Sequence, residues 1–233
     1  RGATPRPVLR GSTLVTEVVV GVAASPTACK VIAFDRVGRA VAEGRSAYPL
    51  RRVGTDGFEQ DPGDWWRALG EAARALPEGL ALAALCVTHQ RETAVLVDPA
   101  GEPVAPAVVW MDKRCAATVE AFAGDREAIA AVTGKPVCTT PSAFKLRERL
   151  ETTAPRDVVG MREVHGYLAE RLVGTPVTAT ASAGPTGLVD LTAGSWHAPT
   201  IAAGLGEAAM GGTWPALKAP GQRIGGRTPA GAE

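Results

Sequence analysis

Asp61-Pro62-Gly63-Asp64 marks the start of a helix more firmly than any other stretch of this sequence. An aspartate can cap the orphan amides, a proline suits the first helical position where no amide partner is needed, and a second acid falls at the third position. Trp65, Trp66, Leu69, Ala72, Ala73 and Leu76 then recur at helical spacing. That pattern predicts a helix from about Pro62 to Leu76, with Trp66, Leu69 and Ala73 turned toward a sheet. Upstream, residues 14–22, 30–35 and 40–48 are β-branched and apolar, with turn chemistry at Asp35-Arg36-Val37-Gly38. They read as an antiparallel meander of three strands. Downstream, ALAALCVT reads as a buried strand, TAVLVD as a second, and Asp98-Pro99-Ala100-Gly101 as a turn into a third around PAVVWM. Helical spacing returns between Lys113 and Val132, broken at Gly124-Asp125, and from about Asp157 to Val173, where Gly174 supplies the stop. Hairpins alternating with helices give an α/β fold, a mixed sheet flanked by helices.

Composition narrows the function classes. The 25 basic and 24 acidic side chains leave a formal net charge of +1, too little for the field that phosphate-backbone binding exploits. Nucleic acid is therefore not an expected partner. The longest apolar run, Ala81 to Val87, is far shorter than a bilayer crossing, and the opening RGATPRPVLR has no apolar stretch behind it. A soluble, cytoplasmic protein without a membrane partner is the expectation. Cys29, Cys86, Cys115 and Cys138 form no C-x-x-C pair, which favours reduced thiols over a zinc site. At about 150 residues per domain the 233 residues suit one large domain. Residues 1–13 read as a disordered tail, 14–233 as the domain, and the Gly- and Pro-rich text from Gly211 onward as an incomplete C-terminal segment.

No P-loop, dinucleotide fingerprint, H-E-x-x-H or nucleophile elbow occurs, and Gly134-Lys135 reads as a plain turn. Two apolar strands nevertheless end in charge, at Gln90-Arg91-Glu92 and at Trp110-Met111-Asp112-Lys113-Arg114. One reading puts Arg91 and Glu92 on a wet strand and makes Asp112 a helix cap. The other delivers a guanidinium and carboxylates to one pocket, a set suited to a polyhydroxylated ligand because carboxylates accept from vicinal hydroxyls and arginine donates to their oxygens.

The order of segments resembles that of the FGGY carbohydrate kinases. Gly57 to Pro62 with Trp65-Trp66, Val87 to Thr93, Asp98 to Pro103 and Val108 to Arg114 follow the family's landmarks. So do Thr133-Gly134, Lys145-Leu146, Tyr167-Leu168 with Arg171-Leu172, and Leu188 to Asp190 with Trp196. The similarity is strongest toward glycerol kinase-like and xylulokinase-like members. It implies an actin-like, ribonuclease H-like fold, a small-molecule sugar or polyol as substrate, and ATP with Mg²⁺ as cofactors. Arg91 and Glu92 would hold the polyol, Gln90 would support their loop, and Asp112 would lie near the substrate or cap a helix. The family's first hairpin, D-x-G-T-T-S-x-K, is here Ala23-Ala24-Ser25-Pro26-Thr27-Ala28-Cys29-Lys30, leaving Thr27 and Lys30 as the usable nucleotide-side groups. The aromatic that closes the polyol pocket in glycerol kinases falls at about Thr140. The family's catalytic aspartate follows a stretch similar to Ile224 to Pro229, past Glu233, so no catalytic residue is assigned. The expectation is the N-terminal, substrate-binding domain of a sugar or polyol kinase, with no catalysis by these residues alone. The alternatives are a non-catalytic carbohydrate- or partner-binding relic, and a truncated frame without function. An exposed interdomain face would favour self-association into homo-oligomers.

Overall fold

The structure, a computed structural model, describes residues 16–153, 158–206, 212–228 and 231. The expected tail at 1–13 lies outside them. The first three strands are β1 (Thr16–Ala24), β2 (Ala28–Phe34) and β3 (Ala40–Ala47), each antiparallel to the next. Their boundaries follow the apolar, β-branched runs to within two or three residues. After β4 (Arg51–Val53) and β5 (Gly57–Gln60), helix α1 spans Pro62–Arg74, with Asp61 Oδ1 accepting from the Gly63 amide at 2.8 Å. Strand β6 (Leu80–His89) then pairs parallel to β1, completing a four-stranded mixed sheet of order β3-β2-β1-β6.

Helix α1 packs on this sheet through Trp65, Ala68, Leu69 and Ala72, which contact Val20, Val22 and Val31 in one core cluster. That stripe corrects the expected one. Ala73 is exposed and Trp66 only half-buried, because the i, i+3, i+4, i+7 set that begins at Trp65 is the one facing the strands. The approach is close: a Cβ on Gly44 of β3 would lie 1.9 Å from the Ala72 carbonyl oxygen, so only glycine fits there. Strand β6 also departs from expectation. It alternates half-buried and exposed residues, Cys86 among the exposed, because the sheet ends at β6 and one of its faces is uncovered. On the other face Leu80, Leu82 and Leu85 meet Trp66 and Leu76 across an apolar groove of about 520 Å³.

A second sheet of order β4-β5-β8-β7-β9 is built from β7 (Ala94–Val97), β8 (Ala107–Val108) and β9 (Gly160–Glu163). The third expected hairpin strand shortens to β8, beyond which only Val109 stays buried before Trp110 emerges. The region 113–133 forms α2 (Ala116–Glu120) and α3 (Arg126–Thr133), interrupted where expected. Helix α4 (Ser142–Thr153), which no local pattern announced, covers this sheet through Ala143, Phe144 and Leu146. The helix expected from Asp157 is corrected at its start: residues 160–163 are β9, antiparallel to β7, and α5 covers only Val164–Val173. Gly174, in the left-handed region at φ 77°, ends it as expected. Short pairs β10 (Val177–Ala179) with β13 (Ala216–Lys218), and β11 (Val189–Asp190) with β12 (Ser195–Trp196), complete the chain with α6 (Thr180–Ala183) and α7 (Ala198–Leu205). Among the described residues all four cysteines are free thiols, and no helix is long and apolar enough to cross a membrane.

Candidate functional site

Strands β1 and β6 run parallel and end side by side, Ala24 opposite His89. The loops that follow them, the Ser25–Thr27 hairpin and the Gln90–Thr93 turn, therefore share one edge. An open recess of about 280 Å³ lies between Ala23–Pro26 and Thr88–Gln90.

One buried amide joins the two loops. Gln60, at the end of β5, donates from Nε2 to the Pro26 carbonyl at 2.6 Å and accepts at Oε1 from Gln90 Nε2 at 2.6 Å and from Trp65 Nε1 at 3.0 Å. Gln90 thus braces its turn, and its own amide donates to the Ala24 carbonyl at 2.8 Å. The strand ends there, and Glu92 takes φ 56°, the one non-glycine residue in the left-handed region among the described residues. Such a conformation costs about 1 kcal/mol or more in an ordinary residue. It turns Glu92 inward, where Oε1 meets Lys135 Nζ at 3.0 Å, and leaves Arg91 exposed to solvent.

Asp112 is fully buried. Its carboxylate accepts from the Phe58 amide at 2.8 Å, from the Arg114 amide at 2.9 Å, and from the Arg114 guanidinium through Nε and Nη2, at 2.9 and 2.7 Å for Oδ2. Arg114 also reaches Glu59 at 2.9 Å, and Arg149 pairs with the same carboxylate. Burial works against the Glu59 charge, but the Arg149 and Arg114 guanidinium groups outweigh it and hold its pKa below the usual range. Asp112 therefore meets its neighbours as a brace between β5, β8 and the start of α2.

Beside Glu92 and Asp112 lies Lys145 of α4, buried, its ammonium donating to the Thr140 and Pro141 carbonyls. Burial lowers its pKa to about 8, while Cys115, Asp112, Glu92 and Cys138 pull the other way. A third buried group sits behind the turn. Glu163 accepts from the Gly166 amide at 3.0 Å and from the Thr178 hydroxyl, with His165 Nδ1 3.7 Å away and the His89 ring tilted against that of His165 at 6.0 Å between centroids. Desolvation lowers the His89 pKa.

Of the residues singled out from the sequence, Gln90, Glu92 and Asp112 converge on this region, while Arg91 faces out. Thr27 is exposed at the hairpin tip, and Lys30 lies along β2 paired with Glu43 at 2.9 Å. The hairpin satisfies itself: Ser25 Oγ bonds both the Ala28 amide and carbonyl, Tyr48 donates through its hydroxyl to the Ser25 carbonyl and through its amide to the Thr27 carbonyl, and Pro26 has no amide hydrogen. With Ala23, Ala24 and Ser25 at the strand end there is no carboxylate for a hard cation, and no group of three metal-ligating side chains occurs among the described residues. The hairpin does not fit Mg²⁺, and it offers few free amides to phosphate. Sequence reasoning missed Gln60, Lys135 and Lys145 as participants. Gln60 and Lys145 lie in segments that follow the family's landmarks but gave no sign of a role at the site, and Lys135 meets Glu92 from 43 residues along the chain.

Comparison with known proteins identifies the family and the fold. Residues 18–232 match the FGGY family of carbohydrate kinases, N-terminal domain. The chain is 36% identical over 178 residues to a xylulose kinase of Streptomyces coelicolor, covering 73% of this chain and 36% of that protein. It is likewise 36% identical over 194 residues to a glycerol kinase of Methylibium petroleiphilum, 74% of this chain and 38% of that one. A solved xylulose kinase from Rhodospirillum rubrum superposes with a TM-score of 0.83 at 25% identity, over 92% of this chain and 45% of that structure. The chain thus spans well under half the length of the relatives it matches.

Proposed function

The chain belongs to the FGGY family of carbohydrate kinases, as its N-terminal domain, and from that premise we propose that it is the substrate-binding part of a kinase that transfers phosphate from ATP to a hydroxyl of a sugar or polyol. The observation that carries the reading is the Gln90–Thr93 turn. A carboxylate held in a strained conformation at a strand end, braced by a buried amide hub, is a built acceptor for ligand hydroxyls. Gln90 holds the turn and Glu92 accepts from the polyol. Asp112 acts at one remove, by fixing Arg114 and Glu59 beneath it. Phosphoryl transfer depends on positioning and charge neutralisation, and ATP with Mg²⁺ is what such a kinase would use. Thr27 and Lys30 are the hairpin groups left for the nucleotide side, Lys30 after release from Glu43.

The self-satisfied hairpin favours a second reading, in which the domain binds a carbohydrate without transferring phosphate. Two measurements on this chain test these. Calorimetric titration with a polyol panel is expected to show binding that Glu92→Gln weakens roughly 10-fold or more, and a coupled ADP-release assay is expected to show no turnover. Turnover above background that is lost in Glu92→Gln would discard the non-catalytic reading. Absence of binding by every polyol would discard the substrate-binding assignment itself.

A further inference from the structure

We infer that His89 is a positioning residue for the polyol turn: its ring holds the first peptide of Gln90–Thr93, and the proton it exchanges with solvent decides how well the turn receives a hydroxylated ligand. The inference rests on the polyol-binding reading and adds a residue and a pH dependence to that site. It begins with where the ring hydrogens must lie. His89 Nδ1 is 2.7 Å from the Gln90 carbonyl oxygen, which can only accept, so Nδ1 carries a hydrogen. Thr178 gives its single hydroxyl hydrogen to Glu163 and therefore accepts from His165 Nδ1 at 3.1 Å, so that nitrogen carries a hydrogen too. Each neutral ring is left with a bare Nε2, and a further proton can enter only there.

The charged groups that face His89 come from α5 and from the turn. Glu163, the cap of α5, and His165 in its first turn lie on one side, the two imidazole centroids 6.0 Å apart. Glu92 acts from the turn, and the neighbouring end of β1, Ala23 and Ala24, brings no titratable group. Glu163 is wholly buried, and its Oε2 meets no donor among the described residues. One imidazolium is thus matched by the Glu163 charge, whereas two so close would repel. Burial lowers the His89 pKa; Glu163 and the Gln90 carbonyl oppose the fall, His165 deepens it and Glu92 opposes it. A polyol that donates its hydroxyls to Glu92 takes up part of that carboxylate's charge and expels water from the turn. Both effects disfavour the imidazolium, so the bound ligand lowers the proton affinity of His89. By reciprocity the proton lowers the affinity for the ligand, and binding weakens as the pH falls through the histidine range.

The test is calorimetric titration of this chain with alditols of three to six carbons at pH 7.5 and 5.5, a window above the ordinary carboxylate range. It compares the parent with His89→Asn and His89→Ala, with thermal melts at each pH to check that they fold. The asparagine amide nitrogen stands where Nδ1 stands, so His89→Asn keeps the donor and loses the titration. The parent is expected to bind its best alditol roughly 3-fold or more tightly at pH 7.5, within the limit of about tenfold per pH unit that one proton allows. His89→Asn should show no such dependence and should bind more tightly than His89→Ala. In the parent alone, saturating alditol should lower the midpoint of one histidine in ring-proton NMR titrations. Equal affinity at the two pH values, a dependence that survives in His89→Asn, or histidine midpoints unmoved by the alditol would overturn the role of His89 and leave the polyol site standing. Binding of no alditol at either pH overturns both.

Discussion

The hairpin after β1 and the turn after β6 leave neighbouring strands at the same edge, yet they hold their polar groups in opposite ways. In the hairpin, Ser25 bonds Ala28, Tyr48 bonds Ser25 and Thr27, and no side-chain charge faces inward. In the turn, a carboxylate is kept in a left-handed conformation and neutralised by a lysine 43 residues along the chain. The difference teaches where to look for function. A loop that satisfies itself is a structural closure, whereas one that carries strain and charge is held for a ligand.

Four outcomes would break or sharpen this contrast. The largest concerns Gln60, which serves both loops. Gln60→Ala removes three buried hydrogen bonds, to Pro26, Trp65 and Gln90, and should destabilise the fold by about 3 kcal/mol in chemical denaturation. A loss below about 1 kcal/mol would mean that the loops are tied elsewhere. Next is Glu92→Gln, expected to weaken polyol binding by roughly 10-fold or more, close to 1.5 kcal/mol, as read by calorimetry. Unchanged affinity would remove the turn's claim over the hairpin.

The third follows from Lys145, whose pKa is about 8 when folded against 10.5 when exposed. Above about pH 8 the unfolded state carries the additional proton, so stability rises with pH. Cys29 and Cys115, raised by burial from 9.0 to about 11, act in the opposite sense above pH 9 and close the window. Between pH 7.5 and 9 the parent should gain about 1 kcal/mol over Lys145→Met in paired denaturation curves. Parallel curves would show that the buried ammonium is solvated in solution. The smallest effect is assigned to Thr27→Ala, exposed at the hairpin tip, which should alter stability and polyol affinity by less than about 0.5 kcal/mol. A larger shift in affinity would return the hairpin to the site.

How much of this was legible in the sequence depends on where the deciding interaction lies. The first three strands and α1 are written locally, in β-branched runs and in the Asp61-Pro62 cap, and the structure follows them. The stripe on α1 was shifted because Trp65 and Trp66 are equally apolar, and only the sheet decides which one faces it. Residues 160–163 are a strand because β7 pairs with them, Val95 opposite Arg162, a contact that no helical or alternating pattern encodes. Helix α4 was hidden by buried Lys145 and Arg149, which interrupt its apolar face. The landmark residues Gln90, Glu92 and Asp112 could be singled out because charge at the end of an apolar strand is conspicuous. Lys135 could not, since a lysine after a glycine looks like any turn until the fold brings Glu92 to it.

Gln60 has a further consequence, in the language of linkage. Its side chain is buried, and it grips the hairpin through Pro26 and the turn through Gln90. A shift of either loop disturbs a bond to the other. A ligand that favours one position of the hairpin therefore does work on Glu92, and by reciprocity a polyol on Glu92 must change the affinity of whatever meets the hairpin by the same factor. Two adjacent loops joined by one amide answer a ligand together.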